Sequence, residues 1–296
     1  MALKVAVVGM GGIGHTHARC YKENPLAELV AVCDVIKEKA DEAAAEFGCR
    51  AFYDEEDMLK NMPEIDVVSV TTSGYENGSM HFEPAMIALT YKKSVLVEKP
   101  ICSDVREARE LVAYAAKNKL YLGCDLNHYF TQPAEDAMLS VNSIHVKFAN
   151  GGVGYLISQR GDAMFGYGGW WSYEHCGSKS TFAIENCVEK LHVWDPKEFD
   201  TNRGTMNQAT PEPITTDYGV SSFGATFPRR IGAFLEDITN KVPYEYIRAS
   251  GRDALATLEY TFAAIKSYEN GGALVVPEML PPMHGDVSRI KTPWDK

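Results

Sequence analysis

The sequence predicts an α/β protein: a doubly wound parallel sheet in the N-terminal part, then an α+β domain built on a mainly antiparallel sheet. Three observations carry this. The first 125 residues alternate short β-branched runs with amphipathic stretches, the pattern of βαβ units. The run Gly9-Met10-Gly11-Gly12-Ile13-Gly14 directly follows the first apolar stretch and opens a helical one. From Ser143 onward the apolar period changes to two, the period of a strand with one wet face.

Taken in order, the parallel strands are expected at Lys4 to Val8, Leu29 to Cys33, Asp66 to Thr71, Ser94 to Glu98 and Leu120 to Cys124. Helices are expected between them, among others at Lys37 to Phe47 and Asp104 to Lys117. In the second of these Val105, Ala108, Leu111, Val112 and Ala115 fall on one face behind a Ser103 cap. Ile144, Val146 and Phe148 then alternate with His145, Lys147 and Ala149, and Asn150-Gly151 suits a two-residue hairpin turn. Further strands are expected at Ser172 to Cys176, Ser180 to Ile184 and Lys190 to Trp194, followed by a loop from Pro196 to Thr216. Two amphipathic helices close the chain, one marked by Ile231, Phe234, Leu235 and Ile238, the other by Leu255, Leu258, Phe262 and Ile265. The expected domains are residues 1–126 and 127–296.

With 296 residues and 45% hydrophobic composition there is material for two cores. A net charge of -11 repels phosphate backbones and anionic lipid surfaces, which argues against nucleic acid and membrane partners. The absence of a long apolar run or signal-peptide core leads to the expectation of a cytoplasmic protein. The seven cysteines are scattered and never spaced Cys-x-x-Cys, so buried thiols are expected and no metal site.

A glycine loop between strand and helix lets a pyrophosphate approach the backbone N–H groups and the positive end of the helix dipole. Gly9, Gly11, Gly12, Ile13 and Gly14 are therefore candidate cofactor residues of a Rossmann-type domain. Asp34 ends the second strand twenty positions after Gly14, where a carboxylate accepts hydrogen bonds from an adenosine ribose. It would also repel a 2′-phosphate, which favours NAD over NADP, although Lys37 is close enough to bind phosphate as a point charge. Glu98-Lys99-Pro100 stands at the carboxyl end of a strand, where ligands of open α/β sheets bind, and Lys99 there could polarise a carbonyl or hydroxyl oxygen. His15 and His17 read as partly exposed helix residues. His128 is the better candidate for touching substrate. Trp170, with Phe165, Tyr167 and Trp171 among glycines, offers aromatic surface to a sugar, to another subunit or to a local core.

In these residues the chain resembles the glucose-fructose oxidoreductase / inositol dehydrogenase / MocA family of NAD(P)-dependent oxidoreductases. The matching segments are the glycine loop with Asp34, Thr71-Thr72 followed by His81, Val97-Glu98-Lys99-Pro100, and Asp125-Leu126-Asn127-His128-Tyr129-Phe130. Later ones are Asn150 to Gly154, Cys176 to Ser180 and the closing helices. The resemblance implies that Thr71, Thr72 and His81 border the cofactor and that Glu98 contacts the nicotinamide-side ribose. It also places Lys99 near nicotinamide and substrate, puts Pro100 after a cis bond and brings Asn127 toward the nicotinamide; His128 and Tyr129, next to Asn127 in the chain, are candidate substrate residues by that position. The activity it implies is hydride transfer between NAD and a sugar, cyclitol or related polyol; independently, an antiparallel sheet can be covered on one face by another subunit, so a homo-oligomer joined through the C-terminal sheet is expected.

One family feature has no counterpart. Only about fifteen residues, Thr131 to His145, separate the Asn127 element from a later strand, and no Asp-x-x-x-His pair supplies the acid-base histidine. Either the chain is naturally short there or a segment near Met138 to Ser143 has been lost. A dehydrogenase relying on Lys99 and a non-catalytic dinucleotide-binding sensor both remain open at this stage.

Overall fold

The computed structural model describes residues 2–73, 80–127, 146–147, 153–154, 172–176, 181–186, 188–194, 212–220 and 222–277. The described residues group into two compact units, one formed by residues up to Leu126 together with those from Phe227, the other by Asn127–Thr226.

In the first unit β1 (Leu3–Val8), α1 (Gly12–Glu23), β2 (Ala27–Cys33), α2 (Lys37–Phe47), β3 (Arg50–Phe52), α3 (Glu55–Asn61), β4 (Val67–Val70), α4 (Phe82–Thr90), β5 (Ser94–Val97), α5 (Val105–Lys117) and β6 (Leu122–Cys124) follow one another. The strands form one parallel sheet in the order β3-β2-β1-β4-β5-β6. Strand order reverses between β1 and β4, the crevice where this topology takes its ligands. The strand and helix expectations fall on observed elements. The short β3 and α3, and α4, were not foreseen, since three to nine residues hold too few turns of either period to stand out.

Local chemistry explains the boundaries. Asp54 caps α3 by accepting from the Asp57 N–H at 2.8 Å, and Gly48 ends α2 at φ 68°. The α5 cap is Asp104 and not the expected Ser103: its carboxylate accepts from the Arg106 N–H at 2.7 Å, and a carboxylate is also favoured by the helix dipole.

Alternate residues of each central strand feed two cores. Ala6, Val8, Val68, Val70, Val95 and Val97 pack on one face, Val5, Val7, Val67 and Leu96 on the other. The closing helices α6 (Thr226–Thr239) and α7 (Gly251–Glu269) complete these cores. Ile231, Phe234 and Leu235 of α6 join one cluster, and Ala254, Leu255 and Leu258 of α7 the other. This corrects the division at 127–296: the helices belong with the N-terminal sheet, because their apolar stripes are the cover its two faces need. The α7 stripe is shorter than its sequence suggests, with Phe262 42% and Ile265 48% exposed. A capping box between Ser250 and Asp253 starts α7.

The second unit holds a four-stranded antiparallel sheet, β12-β11-β10-β9, from β9 (Tyr173–Cys176), β10 (Thr181–Glu185), β11 (Lys190–Trp194) and β12 (Ile214–Asp217). Phe182, Ile184 and Leu191 form its small core. β12 lies at the end of the stretch expected to be loop; its side chains are all exposed, so no apolar alternation announces it. A separate antiparallel pair joins β7 (Val146–Lys147) to β8 (Val153–Gly154), while the Asn150-Gly151 turn expected there lies outside the described residues.

Candidate active site

The glycine loop leaves β1 under tight steric control. Gly9 has φ 95°, and a Cβ on it would lie 2.7 Å from the Thr72 nitrogen; a Cβ on Gly14 would lie 2.0 Å from the Gly9 oxygen. These two glycines let helix, loop and β4 touch. Gly11 and Gly12 differ, since a Cβ on either would meet nothing within 4 Å. Gly11 is also the N-cap of α1 and supplies no side-chain cap, so the first amides of a twelve-residue helix face an open backbone surface. That cradle fits a pyrophosphate. Ile13 flanks it, 43% exposed.

Asp34 closes the loop from the side. One carboxylate oxygen accepts from the Met10 N–H at 2.7 Å, the other from the Ile36 N–H at 2.8 Å. Each oxygen keeps a further lone pair, so the ribose role and the loop-bracing role are compatible. Lys37 has its Nζ 5.1 Å from the centre of the Tyr53 ring, a cation-π contact that engages the ammonium.

Thr71 and Thr72 follow β4. The Thr71 hydroxyl donates to the Gly9 oxygen at 2.7 Å, and Thr72 donates to the Met80 oxygen at 2.9 Å. His81 is buried between two carbonyls, Nδ1 2.7 Å from the Pro100 oxygen and Nε2 2.9 Å from the Thr72 oxygen. Burial holds its pKa below the usual histidine value, so at neutral pH the ring carries one N–H and donates to one of them. It ties the loop after β4 to the Lys99-Pro100 loop, whose peptide bond is cis.

Lys99 is exposed at the carboxyl end of β5, and its N–H donates to Glu98 Oε2 at 2.9 Å. Glu98 is buried, with Oε1 3.3 Å from His17 Nε2. His17, expected on the surface of α1, is fully buried; its Nε2 also lies 3.0 Å from Asp125 Oδ2 and its Nδ1 2.9 Å from Ser69 Oγ. The correction has a plain cause: α1 turns His17 toward the sheet, where two carboxylates offset the cost of burying it. Burial alone would lower the His17 pKa, but hydrogen bonds to Asp125 and Glu98 outweigh it and raise it to about 9. Burial also pushes Asp125 up, yet His17 draws it below the ordinary carboxylate range, whereas Glu98 stays raised.

Arg230 of α6 stands behind this group, its Nε 3.8 Å from Asp125 Oδ1 and donating to the Cys124 oxygen at 2.8 Å. With Glu98 ionised, two cations balance two anions. His17, Glu98 and Asp125 are the one group among the described residues with the spacing of a metal site, within 4.8 Å. The His17 proton and Arg230 already supply the positive charge there.

Asn127 is buried at the start of the second unit. His128, Tyr129 and Trp170 lie outside the described residues. Sequence reading missed His17, Ser69 and Arg230. The only signal for His17 was its position on the helix that the glycine loop opens, three residues after Gly14.

A parallel sheet of this order, with an open glycine loop between β1 and α1, has the architecture of a dinucleotide-binding α/β domain. Residues 3–125 match the model of the oxidoreductase family with NAD-binding Rossmann fold. A UDP-N-acetylglucosamine 3-dehydrogenase of Acidithiobacillus ferrooxidans is 35% identical over 120 residues, 40% of this chain and 36% of that protein. Inositol 2-dehydrogenase 2 of Mycolicibacterium vanbaalenii is 36% identical over 126 residues, 42% and 34% of the two chains. D-glucoside 3-dehydrogenase of Escherichia coli is 29% identical over 171 residues, 57% and 46%. The matched regions thus span less than half the length of these relatives. Among solved structures, levoglucosan dehydrogenase in complex with NADH and levoglucosan shares the fold, with a TM-score of 0.77 over 94% of this chain and 100% of that one, at 15% identity. Among the described residues no helix is long and apolar enough to cross a membrane.

Proposed function

We propose that the protein is an NAD(H)-dependent oxidoreductase that moves a hydride between nicotinamide and a hydroxyl-bearing or carbonyl carbon of a sugar, cyclitol or related polyol. The observation that carries this is the exposed Lys99, braced through its N–H by the buried Glu98, at the carboxyl end of the sheet that also carries the open Gly11-Gly12 cradle. The relatives named above act on sugars or inositol. Gly9, Gly11, Gly12, Ile13 and Gly14 would hold the pyrophosphate and Asp34 the adenosine ribose. Thr71, Thr72, His81, Glu98 and Asn127 would border the nicotinamide half. When bound, the nicotinamide ring accepts or gives the hydride. Lys99 would polarise the reacting oxygen, His128 or another residue not yet identified would handle the proton, and Tyr129 and Trp170 are the proposed substrate contacts.

The finer parts of the reading are a cytoplasmic location and a homo-oligomer joined through the antiparallel sheet. Six described cysteines are free thiols, as a reducing compartment keeps them. Light scattering on the purified protein tests the assembly. A second reading, a dinucleotide-binding sensor without turnover, is favoured by the missing Asp-x-x-x-His segment.

Following NADH absorbance with a panel of sugars, inositols and sugar acids separates the two. Turnover that falls about 10² to 10⁴-fold in Lys99→Ala supports the dehydrogenase. Tight NAD binding with no turnover on any panel member supports the sensor.

A further inference from the structure

The buried group around His17 joins two parts of the cofactor site that lie eighty residues apart in sequence. The glycine loop opens α1, and His17 sits one turn into that helix. The Glu98 carboxylate it contacts uses its other oxygen to hold the Lys99 N–H. A continuous chain therefore runs from α1 through His17 and Glu98 to the backbone of Lys99.

We propose that His17 is a positioning residue of the dinucleotide site, holding the Glu98 carboxylate in one orientation and thereby fixing the Lys99-Pro100 loop relative to the glycine loop. The proposal rests on the reading of this site as NAD(H)-binding.

Each neighbour supports a fixed ring. From β4, Ser69 Oγ faces Nδ1 at 2.9 Å; from the ends of β5 and β6, Glu98 and Asp125 face Nε2. Tyr21 of α1 and Phe227 of α6 meet the ring edge-on, centroids 6.4 and 5.9 Å away. Arg230 approaches Asp125 from α6, on the oxygen His17 does not use. A ring with every direction filled cannot swing, so the Nε2–H it shares between Asp125 at 3.0 Å and Glu98 at 3.3 Å stays aimed at both carboxylates. A carboxylate buried this deeply without a cation beside it takes up a proton or turns toward solvent. Either change would release Lys99 and spoil the oxygen that a ribose hydroxyl would donate to.

The test uses the full chain as wild type, His17→Gln, Glu98→Gln and the double variant, with NADH affinity read by fluorescence titration. Far-UV circular dichroism establishes that each is folded. Each single change is expected to weaken NADH at least tenfold. Because His17 acts through Glu98, the double variant should be no more than about threefold weaker than the worse single one. Losses that multiply, or an unaltered affinity in His17→Gln, would overturn the proposal. Should His17→Gln not fold, histidine ¹⁵N spectra of the wild type decide. A buried ring doubly protonated at pH 7.5 whose signals move on NADH addition supports the proposal, and a neutral or unresponsive one refutes it. A wild type that binds no NADH at all removes the cofactor reading itself, a result visible before any variant is compared.

Discussion

Arg109 on α5 and Glu259 on α7 are joined across 150 positions of sequence by a guanidinium-carboxylate contact of 3.0 Å, with the Glu259 side chain only 3% exposed. The contact ties the C-terminal helix to α5 of the first half. The chain that leaves the first unit at Asn127 returns to it, and α7 adds Ala254, Leu255 and Leu258 to the core that α3, α4 and α5 line.

Removing Arg109 is therefore expected to act on stability rather than on the site. Arg109→Ala leaves the Glu259 carboxylate buried without this partner, and breaking a buried pair from one side costs about 3 kcal/mol. Urea unfolding of Arg109→Ala should show a loss of about 2–3 kcal/mol, since Arg109 itself is partly solvated. A paired replacement by Leu and Met should recover most of it. A loss below about 0.5 kcal/mol in the single variant would mean that α7 is held by its apolar contacts alone.

The four loop glycines should separate into two kinds. Gly14→Ala places a methyl 2.0 Å from the Gly9 oxygen, and Gly9→Ala combines positive φ with backbone contacts under 3 Å. Both should lower stability by about 2 kcal/mol or more as well as abolish NADH binding. Gly12→Ala meets nothing within 4 Å, so its melting temperature should stay within about two degrees of wild type. Its methyl would still stand where phosphate approaches, and NADH affinity should fall at least tenfold. Melting curves and titrations on the same samples check both halves.

What could be read in the sequence was whatever has a short repeat or a local motif. Lys37 to Phe47 is apolar at helical spacing through Ala40, Ala43, Ala44 and Phe47, and all four are buried. Gly9 to Gly14 could be read as a strand-to-helix loop because the backbone there requires glycine at positions 9 and 14, and Glu98-Lys99-Pro100 could be placed because it follows a strand. His17 was not legible: its burial is decided by Asp125, 108 positions away, and by Glu98, 81 positions away, and no local pattern encodes such a meeting. The assignment of α6 and α7 failed for the same reason. Their stripes show that they cover something, but which sheet they cover is a long-range fact.

Asp34 gives a prediction on cofactor choice. Its carboxylate braces Met10 and Ile36, and its charge would stand against a 2′-phosphate. Calorimetry should find NAD bound more tightly than NADP by the wild type, and Asp34→Ser should narrow the gap mainly by weakening NAD. Lys37 is engaged on Tyr53 in the structure, so a Tyr53→Ala change should free the ammonium and improve NADP binding severalfold. Equal affinities for the two cofactors in the wild type would remove the argument from Asp34.

The His17 group also predicts how stability depends on pH. Its folded pKa, about 9, lies above the unperturbed 6.5 because Asp125 and Glu98 outweigh the cost of burial. A raised pKa means that the folded protein holds the proton more tightly than the unfolded chain. The contribution is complete below about pH 6.5 and is lost as pH rises through about 9, on the order of 3 kcal/mol in all. Buried thiols such as Cys33 and Cys124 are raised by desolvation as well and add their own alkaline loss. The informative quantity is thus the difference between wild type and His17→Gln. Urea unfolding at pH 6, 7.5 and 9 should show the wild-type advantage largest at pH 6 and shrinking by about 2–3 kcal/mol at pH 9 and above, with both proteins sharing the thiol contribution. A difference that stays constant over this range would mean that His17 is held neutral, and that Arg230 alone balances the two carboxylates.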